Sequence, residues 1–543
     1  MNHVPGRSSV RSTVLALAVV ALIAGAAAVV ANAAPSVDLA AVVEDEGADC
    51  AVSLPGSTPS TSKLPDPFKK IDGTRITSKS DWRCRREEIK KQAEATVYGT
   101  KPPKPASVSG TVSRTSITVN VSDNGRSSSF SASVSVPSTG TAPYPAVIVV
   151  GGLGADTATI QNSGVAIINY DPLAVGKEGT ARNNKQGAFY SIYGATSSTG
   201  ILMAWAWGVS RIIDVIEQSG GTVLRADGLG VTGCSRYGKG AFVIGAFDQR
   251  IALTMPIESG SGGAPIFRGI PGESGAQPLS SAYSEQPWLG DAFGSYTGNP
   301  TGLPVDTHEM VAMVAPRGLF LMENPRIDWL AARSGSVAAL AGAEVYKALG
   351  AGDNITYWSD IQDGTHCAVR SEWRTPLQQN LQKYLLKTGS AAGTFRISSL
   401  KAGNLTDWRD WTTPVLSDNP SSPPPSSPPP SSPPPSSPPP SSPPPTGACA
   451  AAYRTVNSWP GGFQGEVTIT AGASAITGWT AGWTLSSGQT ITQLWGGTLT
   501  VSGSAVTVKN MSYNGNLGAS ASTTFGFLAN GSPSAPAVSC TSP

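Results

Sequence analysis

The chain has 543 residues, 14% of them charged, and a formal net charge of +2. So balanced and lightly charged a composition argues against a nucleic-acid partner and against an anionic binding surface, and no basic stripe interleaved with aromatics opposes that reading. The length allows one large core and a smaller one, and the six cysteines, an even number, fit an oxidising compartment.

At the N-terminus, Arg7 and Arg11 give a basic start, Val14 to Val30 form an apolar stretch, and Ala31-Asn32-Ala33 offers a small-residue cleavage site. Residues 1–33 therefore read as a signal peptide, and the protein is expected to be secreted and extracellular. The apolar run is long for a signal peptide, which keeps an uncleaved anchor open. No later segment approaches a membrane span, so no membrane partner is expected.

A large domain is expected over residues 49–415. Its stretch from Gly110 to Pro137, rich in Ser, Val and Thr, reads as antiparallel strands at one edge of a sheet. Tyr144 to Val150 reads as a strand ending at Gly151-Gly152, Val165 to Tyr170 as the next, and Gly200 to Ile216 as a helix. Short, wholly apolar strands alternating with helices imply a sheet covered on both faces, so the fold class is α/β, a three-layer sandwich.

Next comes Gly233-Cys234-Ser235-Arg236-Tyr237-Gly238-Lys239-Gly240, between a strand-like Leu229 to Thr232 and a helix-like Ala241 to Ile244. Strand, sharp turn and helix make a nucleophile elbow, in which Ser235 stands above the sheet with backbone N–H groups aimed at developing negative charge. The second glycine falls one residue later than in G-x-S-x-G, at Gly238. Arg236 supplies the N–H after the nucleophile, and its guanidinium could donate to the same oxyanion; the plainer reading is a surface salt bridge.

A serine nucleophile needs a base, and the sequence holds three histidines, of which His3 lies in the segment to be removed. His366 sits on a turn after the strand-like Ile355 to Trp358, later in the chain than the serine, as a hydrolase base should. His308 is the rival, beside the helix-start signal Asp306-Thr307. For the orienting acid, Glu258 follows the apolar strand Ile251 to Ile257, with Glu323 and Asp328 after the next strand as alternatives. Cys234 precedes the nucleophile and Cys367 follows the base, so a disulfide between them would tie elbow to histidine loop; the alternative is two free buried thiols. Cys50 with Cys84 would clasp the N-terminal segment, and Cys449 with Cys540 would close a terminal module. No cysteine or histidine spacing suits a metal, and neither metal nor organic cofactor is expected.

Residues 416–446 form a Ser/Pro-rich linker containing five copies of Ser-Ser-Pro-Pro-Pro over 421–445. Such a repeat favours extended polyproline, reaching on the order of 80 Å. In the last segment, 447–543, short apolar runs alternate with Gly, Ser and Asn turns, the pattern of an all-β sandwich without a histidine. Trp459, Trp495 and Tyr513 stand near turns, where flat rings could stack on sugar faces; Trp479 and Trp483 read as core.

Leu64-Pro65-Asp66-Pro67-Phe68, the helix Ala204 to Arg211 and above all GCSRYGKGA resemble the glucuronoyl esterases of carbohydrate esterase family fifteen, over nearly the whole large domain. The resemblance implies an α/β-hydrolase fold, a GCSR-x-GK motif that accounts for the shifted glycine, a triad of Ser235, Glu258 and His366, and a disulfide between Cys234 and Cys367. It further implies that Lys239, Gln277 and Glu285 bond sugar hydroxyls and that Trp329 reaches the sugar through its indole N–H. The implied substrate is the ester between 4-O-methyl-glucuronic acid of glucuronoxylan and lignin alcohols. The last segment resembles a family 2 carbohydrate-binding module, with Cys449–Cys540 as its disulfide and three surface aromatics closer to the cellulose-binding type than to the xylan type. The partners expected are thus glucuronoxylan-lignin ester and cellulose or xylan, with the protein a monomer. Competing readings are an acetyl- or feruloyl-xylan esterase using the same triad, a non-catalytic wall-binding protein, and a lipase, which the lack of an apolar lid or patch disfavours.

Overall fold

The computed structural model describes residues 43–418 and 448–542, apart from Pro460, Ser512, Tyr513 and Ala535. The expected signal peptide and the Ser/Pro repeat lie outside the described residues. The chain divides into two compact units, Met1–Pro424 and Pro425–Pro543.

The larger unit is built on one ten-stranded sheet. Its strands are β1 (Ser107–Val112), β2 (Ser116–Asp123), β3 (Arg126–Ser135), β4 (Tyr144–Val150), β5 (Ala166–Tyr170), β6 (Leu224–Cys234), β7 (Ile251–Ile257), β8 (Gly318–Met322), β9 (Ile355–Trp358) and β10 (Phe395–Arg396). Their spatial order is β1-β2-β3-β5-β4-β6-β7-β8-β9-β10. Pairings from β1 to β5 are antiparallel, and those from β5 through β4 to β10 are parallel. The helices are α1 (Trp82–Ala93), α2 (Thr157–Asn162), α3 (Ala188–Tyr193), α4 (Ile201–Gln218), α5 (Arg236–Phe247), α6 (Leu279–Glu285), α7 (Thr307–Val314), α8 (Ala332–Ala348) and α9 (Ser371–Asn380).

The strand sequences explain the layers. Every residue of β4 and β8 is buried, yet alternate residues enter different cores. Ala146, Ile148 and Val150 of β4, with Leu319 and Leu321 of β8, join the side chains of α4, α5, α7 and α8. Val147, Val149, Phe320 and Met322 face the other way, into a smaller core with Ile160 of α2 and Trp373 and Leu377 of α9. A period of two that is apolar on both sides gives a central strand covered twice. By contrast β3 alternates, with Phe130, Ala132 and Val134 buried and the residues between them exposed, as suits an antiparallel edge with one wet face. Helix α4 is buried from Ile201 through Ile216, which is why its sequence carries apolar side chains round its whole girth.

The smaller unit contains two four-stranded antiparallel sheets. Phe463, Trp479, Trp483, Phe525 and Phe527 fill the space between them, with Trp479 stacked on Phe525 and Trp483 on Phe527. Cys449 and Cys540 are bonded, tying the first strand to the last. Trp459 and Trp495 end the strands Cys449–Trp459 and Thr490–Trp495. Their side chains, and Tyr513 altogether, lie outside the described residues.

Candidate active site

Strand β6 ends at Cys234 and α5 starts at Arg236, leaving Ser235 alone in the turn with φ 59° and ψ −127°. Side chains other than glycine rarely hold such a conformation, and its cost is met by the surrounding structure. Two glycines make the turn possible. A Cβ on Gly233 would stand 2.1 Å from the Tyr237 carbonyl oxygen, and one on Gly238 would stand 2.4 Å from that of Ile257. The late second glycine is thus the residue that lets α5 lie against the end of β7. The Ser235 N–H donates to Ile257 O at 2.9 Å and the Cys234 N–H to Leu153 O at 2.9 Å, pinning the elbow on both sides.

Glu258 leaves β7 with φ 45° and is fully buried. Its Oε2 lies 2.7 Å from His366 Nδ1 and accepts the Cys367 N–H at 2.8 Å. Its Oε1 takes Arg370 Nη1 at 3.1 Å and the Asn324 amide at 3.4 Å. A buried carboxylate this well supplied with donors, one of them a guanidinium, has its lone pairs satisfied and is held in place. Arg370 also donates to the carbonyls of Asp363, Thr365 and Ala368, so one side chain both neutralises the acid and shapes the histidine loop.

Cys367 itself has φ 59° and is bonded to Cys234, with the Cα atoms 5.8 Å apart, so the bridge fastens the residue after His366 to the residue before Ser235. Donor atoms of Cys234, Glu258, His366 and Cys367 all fall within 4.8 Å of one another; both sulfurs are committed to the disulfide, and the cluster works as a clamp. The imidazole is braced edge-on by Trp329, with ring centroids 4.7 Å apart. Its Nε2 is buried and has no hydrogen-bond partner among the described residues.

The rivals stand elsewhere. His308 is buried in α7 with Nε2 2.9 Å from Pro65 O and its ring stacked on Trp411, and burial lowers its pKa to about 4. Glu323 is buried, with its pKa pushed well above the usual range by burial and by the charge of Glu258. Asp328 is exposed and paired with Lys401 at 2.9 Å. The imidazole of His366 meets Glu258 and neither of these two.

On the other flank, Lys239 is buried one turn along α5, donating to Ser259 O at 2.5 Å with its ammonium 5.2 Å from the Trp288 ring centre. Burial lowers its pKa to about 8, against the pull of Glu285 and Glu323. Gln277 donates to Glu285 at 2.8 Å, and its backbone N–H donates to Trp329 O at 3.2 Å. Trp329 is 44% exposed, an open aromatic face beside the half-buried imidazole. The guanidinium of Arg236 is held by Glu178, 3.1 Å away. Sequence reasoning missed Glu178, Asn324 and Arg370. Each meets the site through a partner far along the chain, Arg236 for Glu178 and Glu258 for Asn324 and Arg370, and no spacing rule marks them.

This arrangement equips the site for acyl transfer: a hydroxyl on a strained elbow, an imidazole held by a buried acid, an arginine next in the chain to the nucleophile, and a polar flank able to hold hydroxyls. A family model described as "Glucuronyl esterase, fungi" matches residues 119–350, and one described as "Cellulose binding domain" matches 449–542. The chain is 40% identical over 377 residues to a 4-O-methyl-glucuronoyl methylesterase of Hypocrea jecorina, covering 68% of this chain and 80% of the relative. A second, from Neurospora crassa, is 39% identical and covered over 93% of its length. Among solved structures, the Hypocrea jecorina glucuronoyl esterase catalytic domain superposes with a TM-score of 0.62 at 38% identity, covering 67% of this chain and 100% of that one. A serine-to-alanine mutant of the Sporotrichum thermophile enzyme, in complex with methyl 4-O-methyl-beta-D-glucopyranuronate, gives the same TM-score of 0.62 at 37% identity over 68% of this chain and 100% of that one.

Proposed function

The chain belongs to the glucuronoyl esterases, and from that premise we propose that it hydrolyses the ester linking (4-O-methyl-)glucuronic acid of glucuronoxylan to lignin alcohols, as a secreted enzyme carried to the plant cell wall by its cellulose-binding module. Ser235 attacks the ester carbonyl while His366 Nε2 takes the hydroxyl proton. The tetrahedral oxyanion is met by the Arg236 N–H and guanidinium. His366 then returns the proton to the departing alcohol, leaving a glucuronoyl-serine. Water, deprotonated by the same imidazole, attacks that acyl group, and collapse of the second intermediate frees glucuronate and restores Ser235. Glu258 holds the tautomer that presents Nε2 as acceptor and stabilises the imidazolium. Lys239, Gln277, Glu285 and Trp329 hold the sugar.

The observation that carries this reading is the 2.7 Å contact between His366 Nδ1 and Glu258 Oε2, on a loop that the disulfide fastens to the elbow. The sugar flank favours a uronate ester over acetyl or feruloyl esters, because those acyl groups carry no sugar for Lys239 and Glu285 to hold. Trp459, Trp495 and Tyr513 are the proposed stacking residues of the module. The test is hydrolysis of benzyl glucuronate beside acetylated xylan and methyl ferulate, with wild type and Ser235→Ala purified in parallel. Glucuronate release by wild type alone is expected. Activity confined to acetyl or feruloyl substrates would sink the substrate assignment and leave the triad.

A further inference from the structure

Glu178 lies on the loop between β5 and α3, and its side chain is only 11% exposed. Its two carboxylate oxygens serve different halves of the site. Oε2 pairs with Arg236 Nη1 at 3.1 Å, and Oε1 accepts the Trp288 indole N–H at 2.6 Å. Trp288 is the ring over which the Lys239 ammonium sits, 5.2 Å from its centre. The loop is fixed in turn: the Gly179 N–H donates to the Gln286 side chain at 2.6 Å, and Arg182 donates to Leu289 O at 2.8 Å and covers the Tyr283 ring at 3.5 Å. Arg236, otherwise 47% exposed, gains a second support from the Tyr237 ring, 5.8 Å from its guanidinium carbon.

We propose that Glu178 is a positioning residue that holds the Arg236 guanidinium in the one place where it meets the oxyanion, and that partly neutralises it so that the product acid is not retained. This rests on the reading of Arg236 given above. The substrate ester is uncharged, whereas the transition state and the released glucuronate both carry negative charge. A mobile, unpaired guanidinium could follow a product carboxylate through many geometries, but it would meet the oxyanion of a fixed tetrahedral centre in few of them. Pairing with Glu178 therefore favours the transition state and disfavours product, a differential that raises turnover without tightening ground-state binding.

Glu178→Gln separates the two bonds. The amide oxygen can still accept from Trp288, while the amide nitrogen turns a donor toward Arg236. With benzyl glucuronate, kcat is expected to fall about tenfold with KM within twofold, and the inhibition constant of glucuronic acid is expected to fall about threefold. In an Arg236→Ala background the same substitution is expected to change neither. Glu178→Asp, which keeps the charge and shortens the reach, should lie between wild type and Glu178→Gln, and it carries the cycle if the glutamine variant fails to fold. An equal loss of kcat in both backgrounds, a loss below twofold, or an unchanged product inhibition constant would overturn the proposal. Wild type that releases no glucuronate would instead sink the activity reading on which it stands.

Discussion

At the residue scale, Glu258 shows how much one side chain is asked to do. Its carboxylate bonds His366, the Cys367 N–H, Arg370 and Asn324 together. Glu258→Gln keeps the shape, but its amide can present a donor to Nδ1 and stabilise the wrong tautomer, so kcat is expected to drop on the order of 10³-fold with the fold intact, measured by turnover and near-UV circular dichroism. Lys239 makes a pH prediction. Its ammonium is charged below about 8 because burial has lowered it from the usual lysine value. A charged donor holds a sugar hydroxyl more strongly than a neutral one, so KM is expected to rise several-fold as pH passes upward through about 8. Lys239→Met should show a KM already high and flat across that range, and an unchanged pH profile in that variant would disprove the role. Ser235 and His366 were legible because an elbow has a local sequence and histidine is scarce in this chain. Glu258 is the acid that its strand-end position and the family resemblance favour, with Glu323 and Asp328 left open because all three follow strands. What decides is which carboxylate the histidine loop folds over, and Arg370, four positions past His366, shapes that loop.

At the element scale, α7 illustrates a histidine that serves the fold. Asp306 and Glu309 form its capping box, and Asp306 also accepts the Phe267 and Arg268 N–H groups. His308 is kept neutral, with a folded pKa of about 4 against an ordinary value of 6.5. The unfolded chain therefore binds the extra proton first as pH falls, so the stability contributed by neutral burial is fully present above about 6.5 and is lost on the way down to about 4. The loss amounts to ~3 kcal/mol when complete. His308→Gln, which can still donate to Pro65 O, is expected to flatten the acid side of the urea-unfolding profile; an unchanged slope between pH 4.5 and 7 would contradict this. The disulfide beside the elbow joins residues 133 positions apart. Replacing Cys234 and Cys367 by alanine should cost about 2–5 kcal/mol and should depress kcat beyond what the lower melting temperature explains, because the histidine loop loses its fastening. Strand and helix positions here were largely readable. The wholly apolar β4 and the period-two pattern of β3 carry their burial in their composition, whereas the ten-strand order is a matter of long-range pairing.

At the scale of the whole molecule, the two units have separate cores, the larger divided by its sheet and the smaller filled by stacked aromatics. Removing residues 416–543 is expected to leave kcat/KM on soluble benzyl glucuronate within twofold of the full chain, and to reduce release from insoluble wall material severalfold. Trp459→Ala with Trp495→Ala in the full chain should weaken retention on cellulose without touching the soluble rate. A fall in the soluble rate after truncation would show that the module supports the catalytic unit directly. The sequence by itself determined the division into units, the α/β sandwich, the elbow and the residue types available for the chemistry, because turns, strand periodicity and proline repeats are encoded within a few residues of one another. Tertiary structure alone showed that Glu258, and neither Glu323 nor Asp328, lies against His366, that His308 is a buried scaffold residue, and that Glu178 joins Arg236 to Trp288. Those outcomes depend on contacts between residues 58 to 243 positions apart, which only the assembled sheet and its loops bring within hydrogen-bonding distance.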